Sequence, residues 1–341
     1  MINLLLLCVS LVIASIVGEI ALRLFWPPLI MPRWVENAPY GIRKNVGNVR
    51  GTIITPEYRH KVSSNSEGFR GTREYSVAKP SGVFRAVVLG DSVVNGYGVE
   101  DEQTFCALLE KKLSSTRPAE VLNMGIAGFC NAEELIQLQH VGLRYEPDLV
   151  ILGYFVNDHF ENLISDLFLL KDGKLTRNPH PPDAAIRLRD RLSRVPGYTF
   201  LCQHSYLVSF LRSRASGLFR NKAGTKHGAG DYLGFEVTEQ QIALTAALVD
   251  EIIKTCSDRG IRLVILNIPM ERNGAWFSNL PLDHLKLRDK ARIVDVAEEI
   301  FKGHDIKEIA REGNYHPKPP GHELIAEWLA NYVQKEVWTS K

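Results

Sequence analysis

The sequence predicts an α/β domain, a parallel sheet covered by helices on both faces, carried behind an N-terminal transmembrane helix. Three observations lead there. Apolar runs at 84–89, 120–124, 149–155 and 262–268 each adjoin a segment of helical spacing, the alternation that builds a parallel sheet. The run at 84–89 is short, β-branched and apolar, as suits a buried parallel strand. The first 26 residues are almost wholly apolar.

The apolar start comes first in the chain. Residues 2–18 are interrupted only by Asn3, Ser10 and Ser15, and 20–26 extend the run past Glu19 and Arg23. A helix over 4–25 reaches the roughly 20 residues that cross a bilayer, sets Glu19 and Arg23 one turn apart and puts Trp26 at an interface. Pro27 and Pro28 stop it. The rival reading is a cleaved secretory signal, but no basic residue precedes the run and no small-x-small cleavage site follows it. Cys8 follows Leu7 inside the run, which does not suit lipid attachment. Arg23, Arg33, Arg43 and Lys44 all follow the apolar segment at 2–18, so the positive-inside rule read literally keeps the main domain cytoplasmic.

The expected organisation is an anchor at 1–27, a lead-in at 28–80, and a globular domain at 81–337 with a basic insertion at about 162–236. The lead-in is rich in Pro, Gly, Asn and Arg without a sustained period and reads as extended chain. Within it, 65–71 reads as an ordered turn, because Phe69 needs somewhere to pack. In the insertion Arg187, Arg189, Arg191, Arg194, Arg212, Arg214, Arg220, Lys222 and Lys226 meet few acids. It reads as a segment over the carboxyl edge of the sheet, either a set of solvated faces or a basic lid for an anionic substrate or lipid headgroups. Thr238 with Gln241 three residues on forms a capping box for a helix at 238–256, striped by Ile242, Val249, Ile252 and Ile253 and ended by Gly260. A last helix at 321–336 gathers Leu324, Ile325, Trp328, Leu329 and Tyr332 on one side.

Composition narrows the function. With 341 residues, 45% hydrophobic and a net charge of +2, the chain is an ordinary globular protein with no long basic block, which argues against a nucleic-acid partner. Five scattered cysteines without CxxC spacing argue against a disulfide framework and a zinc site. No metal and no cofactor is expected.

The chemistry begins at Ser92, where the strand 84–89 runs into Gly90-Asp91-Ser92 and a glycine-rich turn at the ligand-binding edge of an open sheet. A serine hydroxyl needs a base to take its proton and donors aimed at the developing oxyanion. Gly128 follows the second strand, and its backbone N–H can approach a ligand closely. Asn157 ends the third strand with an amide donor. His316 stands in a loop before the last helix and is the candidate base. Asp91 and Asp158 read as turn acceptors, His322 as a packing residue and His159 as a surface one.

Gly90-Asp91-Ser92, Gly128, Asn157 and His316, in this order, resemble the four blocks of the SGNH or GDSL family of esterases and acylhydrolases, over about 84–160 and 238–335. No Gly-x-Ser-x-Gly elbow points to the other common serine hydrolase fold. The resemblance implies a three-layer α/β/α sandwich with a parallel, flavodoxin-like sheet. It implies Ser92 as nucleophile, the Ser92 and Gly128 N–H groups and the Asn157 side chain as oxyanion hole, and His316 as general base and then acid. One position departs: the family aspartate three residues before the histidine is Gly313 here. Losing that acid can cost on the order of 10⁴ in turnover. Three readings follow: a Ser-His dyad steered by a backbone carbonyl or Asn314, a displaced acid at Glu312 or Asp295, or a domain that binds without turnover. The function expected is a membrane-anchored ester hydrolase acting through an acyl-serine on acylated envelope carbohydrate or lipid. The alternatives are an O-acyltransferase to a polysaccharide hydroxyl and a non-catalytic glycan-binding or assembly subunit. Membrane-tethered relatives commonly act outside the cytoplasm, which favours a periplasmic domain against the basic flank.

Overall fold

The computed structural model describes residues 2–26, 29–55, 58–178, 184–222, 237–311 and 316–339. Helix α1 (Ile2–Phe25) is followed by four short strands, β1 (Val35–Asn37), β2 (Arg43–Asn45), β3 (Arg50–Ile54) and β4 (Arg59–Ser63). The alternating domain opens with β5 (Phe84–Gly90), α2 (Ser92–Asn95), α3 (Phe105–Ser114), β6 (Ala119–Asn123), α4 (Asn131–His140), β7 (Leu149–Tyr154) and α5 (Asp158–Ser165). An excursion follows, made of β8 (Phe168–Lys171), β9 (Lys174–Arg177), α6 (Ala184–Leu192), α7 (Tyr198–His204) and α8 (Tyr206–Lys222). The chain returns through α9 (Glu239–Ser257), β10 (Arg262–Asn267), β11 (Met270–Arg272), β12 (Ala275–Phe277) and β13 (Arg292–Asp295). It ends with α10 (Val296–Glu299), α11 (Ile306–Ile309) and α12 (Pro319–Tyr332).

Five strands form the main sheet in the order β13-β10-β7-β5-β6, every pair parallel. Counted along the chain this is the 2-1-3-4-5 order of flavodoxin-like folds, whose direction reverses between β5 and β7. Strand residues alternate between two cores. Val87, Leu89, Val150 and Leu152 pack with α4 and α9, while Ala86, Val88, Leu149 and Ile151 pack with α3 and α12. The result is the three-layer sandwich. The expected caps are present: Thr238 accepts from the Gln241 N–H at 3.3 Å, and the Gln241 side chain reaches back to the Thr238 N–H at 2.8 Å. The fifth strand, β13, is too short to announce itself in the sequence.

The lead-in is folded rather than extended. β1 pairs with β2 and β3 with β4, both antiparallel, and Trp34, Ile53 and Val62 make a small core of their own. Phe69 is buried and meets the Tyr145 ring edge-on at 5.4 Å. The insertion is also placed differently from expectation. Its helices dock on the anchor and the lead-in: Arg33 pairs with Asp190 at 2.6 Å, and Arg212 donates to the Met31 carbonyl at 3.1 Å. Glu19 accepts from Ser205 Oγ and from the Tyr206 and Leu207 N–H groups at the start of α8, at 2.8–2.9 Å. The five cysteines are free thiols, four of them buried, with Cys8 exposed on α1.

Candidate active site

β5 delivers Ser92 to the carboxyl edge of the sheet at the point where strand order reverses. The turn leaves little room. Gly90 has φ 156°, and a Cβ there would lie 2.2 Å from Val94 Cγ2 and 3.1 Å from the Gly153 carbonyl. Asp91 caps α2, its carboxylate accepting from the Val93 N–H at 2.8 Å, so the hydroxyl of Ser92 is presented at the first turn. His316 Nε2 lies 2.8 Å from Ser92 Oγ, although 224 residues separate them. In the tautomer with its proton on Nδ1, the imidazole accepts from the hydroxyl at this distance.

The histidine loop is held by backbone. Ala310 bridges Pro317, the Lys318 N–H donates to the Ile309 carbonyl at 2.6 Å, and the Arg311 N–H to the His316 carbonyl at 3.4 Å. Arg311 also donates to the Gly98 carbonyl, tying this loop to the turn that follows Ser92, and its guanidinium lies 4.5 Å from the Tyr58 ring centre. The Tyr97 ring lies 5.1 Å from that of His316. Arg311, Tyr58 and Tyr97 were missed in the sequence, because nothing local marks them as neighbours of the histidine.

Of the candidate orienting groups, Glu312 and Asn314 lie outside the described residues, as does Gly313. Asp295 is not brought to the histidine. It ends the edge strand β13, three strands and roughly 14 Å across the sheet from β5. Its carboxylate instead caps α10, accepting from the Ala297 and Glu298 N–H groups at 3.1 and 3.2 Å.

The two expected donors come to the same edge. Asn157 stands at the start of α5 without spending its side chain on the helix cap. Gly128 has φ 78° in the loop after β6, a left-handed turn that suits glycine. That loop is tied back to β5 and α2: the Ile126 N–H donates to the Gly90 carbonyl at 3.0 Å, and Asn95 Nδ2 to the Gly125 carbonyl at 2.8 Å. A Cβ on Gly125 would sit 2.4 Å from the Asn95 nitrogen, so only glycine allows this approach. From the lead-in, Arg43 donates to the Gly128 carbonyl and forks onto both Glu133 oxygens at 3.1 and 2.9 Å. Arg43 lies in a segment with no period, which is why sequence reasoning gave it no role.

Behind the donors sits a buried carboxyl cluster. Asn131 Nδ2 donates to Glu134 at 2.9 Å and to Asp158 at 3.1 Å, while Asn162 Nδ2 donates to Asn131 Oδ1. Burial pushes the Asp91 carboxyl up to about 6, against the pull of the Val93 N–H and the Ser92 hydroxyl. Burial also raises Asp158 well above the usual carboxylate range, with the Glu134 and Asp91 charges adding to it. Glu134 rises for the same first reason, burial, opposed by Asn131 and reinforced by Asp91. Asp91 and Asp158 are thus turn acceptors, as expected, and also members of a buried carboxyl group whose pKa values burial raises. His159 is not a surface residue: it is 3% exposed, with Nε2 2.8 Å from the Asn279 carbonyl. His322 is fully buried and accepts from the Phe105 N–H at 3.2 Å, a packing role as expected.

Among the described residues no cluster of His, Cys, Asp and Glu is arranged to hold a metal ion. No curated protein matches the chain. Solved structures similar to it include a putative lipolytic protein of the G-D-S-L family from Desulfitobacterium hafniense, 14% identical over 72% of this chain and 98% of that one, with TM-score 0.39. Others are the psychrotrophic esterase EstA from Pseudoalteromonas sp. (13%, 75% and 99%, TM-score 0.43) and the lipase/acylhydrolase from Enterococcus faecalis (13%, 74% and 95%, TM-score 0.41). Residues 88–324, more than half of the chain, match the GDSL-like lipase/acylhydrolase family, and the chain belongs to that family of ester-bond hydrolases.

Proposed function

We propose that Ser92 and His316 form the catalytic pair of an acyl-serine ester hydrolase, and the observation that carries this is the 2.8 Å approach of Ser92 Oγ to His316 Nε2. Ser92 Oγ attacks the acyl carbon while its proton passes to His316 Nε2. The oxyanion meets the Ser92 and Gly128 N–H groups and the Asn157 amide. Collapse of the tetrahedral intermediate breaks the bond to the alcohol, whose oxygen takes the proton from His316, leaving an acyl-Ser92. Water then gives a proton to His316 and its hydroxide to the acyl carbon, and Ser92 leaves with the proton restored. The backbone pairing of 309–310 with 317–318 and the Arg311 clamp support this role for His316, because they hold the loop that carries it although the family carboxylate position is Gly313.

The substrate class proposed is an acylated envelope carbohydrate or lipid, reached by a domain at 81–337 held outside the cytoplasm on an uncleaved anchor. The support for retention of the anchor is its place in the fold. Cleavage before the domain would remove Glu19 from the start of α8 and Arg23 from the His204 carbonyl, to which it donates at 2.7 Å. A carboxyl-terminal alkaline phosphatase fusion is expected to be active; an inactive fusion beside an active cytoplasmic reporter overturns the placement.

The catalytic test is labelling of the full chain by a fluorophosphonate, which needs an activated serine but no known substrate. The parent is expected to label, and Ser92→Ala and His316→Ala to lose labelling, with esterase turnover down by about 10³ or more. A folded parent that does not label overturns the hydrolase reading in favour of a binding subunit.

A further inference from the structure

We propose that α6 to α8 lie along the surface of the bilayer that α1 crosses, with apolar side chains among the acyl chains and arginines on anionic phospholipid headgroups. The proposal rests on the anchor reading above. Its first support is a surface pattern on α6 and the turn that continues it. Leu188, Leu192 and Val195 recur at helical spacing and are all exposed, at 45%, 36% and 53%. Arg187, Arg191 and Arg194 form the adjacent stripe and are exposed as well. The remaining side faces the protein, where Asp190 accepts from Arg33 at 2.6 Å and Asn37 at 3.2 Å. An apolar stripe beside an arginine stripe, with a third face docked, is the construction of a helix lying in a membrane interface.

The second support is continuity with the anchor. α8 starts on the Glu19 carboxylate, and Arg23 lies 4.4 Å over the Tyr206 ring. A Cβ on Gly18 would touch Leu207 Cδ1 at 3.6 Å, so α8 crosses α1 at that glycine. Leu211, one turn further on the same face of α8, is 56% exposed, and Phe200 on α7 is 62% exposed. These side chains extend the exposed apolar surface from α1, which α8 meets at Gly18, Glu19 and Arg23. A soluble protein does not leave such a surface open.

Charge names the partner. From 184 to 222 the chain carries seven arginines and Lys222 against a single acid, Asp190, which is already ion-paired. An anionic bilayer fits both the excess charge and the apolar stripe, and each exposed cation near such a surface adds attraction.

The test uses the full chain in nanodiscs, with Cys8→Ala and one new cysteine at a time carrying an environment-sensitive fluorophore: Val12→Cys in the span, Phe200→Cys in α7, and Lys302→Cys on the sheet domain. In discs containing spin-labelled phosphatidylcholine, the labels at 12 and 200 are expected to shift to the blue and lose most of their fluorescence, and the label at 302 to do neither. Replacing part of the phosphatidylcholine by phosphatidylglycerol is expected to deepen the quenching at 200, and Arg191→Glu with Arg194→Glu to cancel that gain. A quenched label at 12 with an unquenched, water-like label at 200 overturns this proposal alone. A blue-shifted but unquenched label at 200 assigns the face to a protein partner or a second copy and overturns it too. An unquenched label at 12 removes the anchor reading and this proposal with it.

Discussion

The carboxyl edge of the sheet and the collar of insertion helices around the anchor are built on opposite terms. At the edge, polar side chains are buried and bonded to fixed partners: Asn123 Nδ2 to the Val94 carbonyl at 2.8 Å, Asn95 to Gly125, Asn131 to two carboxylates. In the collar, apolar side chains such as Phe200 and Leu211 are exposed, and the polar contacts gather on a few part-buried acids, Glu19 and Asp190. A buried polar network is costly when any member is lost, so it enforces one geometry, which a reaction needs. The collar tolerates exchange of its contacts, as a surface docked on a fluid bilayer must. The comparison therefore predicts large, catalytic consequences at the edge and small ones in the collar.

Asn157→Ala is the sharpest break. Removing one oxyanion donor is expected to lower kcat on a soluble chromogenic ester by about 10²–10³ with little change in KM. An equal loss in KM instead would make Asn157 a ground-state binding residue. Arg43→Ala comes next. It leaves Glu133, only 6% exposed, without its cation, and frees the Gly128 turn. A stability loss of about 1–3 kcal/mol is expected by denaturant titration. A kcat about tenfold lower should accompany it, because the turn is held less well. Arg43→Lys restores charge but not the fork, so stability should recover further than kcat. If kcat recovers in step with stability, the residue acts through folding alone.

What the sequence made legible follows the same division. The four buried strands, the capping box at Thr238 and the order of Ser92, Gly128, Asn157 and His316 were readable because each rests on local pattern: apolar runs, cap spacing, a glycine turn. Arg43, Arg311 and Tyr97 were not, since their roles come from contacts across 85 to 219 residues that no period records. β1 to β4 escaped because strands of three to five residues, most of whose side chains are only partly covered or exposed, resemble turn-rich lead-in chain. Asp295 misled for the opposite reason. A carboxylate at a strand end is a reasonable partner for histidine until the topology puts that strand at the far edge.

The carboxyl cluster gives a pH-dependent test of the edge. Burial raises Asp91, Glu134 and Asp158 above the ordinary carboxylate range, so the native state is expected to keep protons that the unfolded chain releases above about pH 4. The native state then binds more protons than the unfolded one, so stability falls as pH rises through the window between the ordinary and the raised values. Glu134→Gln keeps a hydrogen-bonding partner for Asn131 and removes one titrating group with its repulsion. Its thermal midpoint is expected to decline less than the parent's between pH 5 and pH 8 by scanning calorimetry, in the ratio-free sense that the two curves converge toward acid and part toward neutrality. Parallel curves would mean that the cluster is ionised in both states.

Asp190→Asn is expected to do least, and for that reason it tests the other half of the comparison. The Arg33–Asp190 pair has side chains 21% and 24% exposed, so water already screens it, and the neutral amide can still accept from Arg33. A change of about 0–1 kcal/mol is expected in the full chain, with turnover of a soluble ester unaltered. The collar would then be joined to the sheet domain by several weak contacts, free to adjust as the bilayer moves while Ser92 and His316 stay 2.8 Å apart. A fall in kcat on this substitution would reverse that view. It would mean that α6, through β1 and the adjacent Arg43, sets the position of the Gly128 turn, and that docking on the membrane reaches the oxyanion donors.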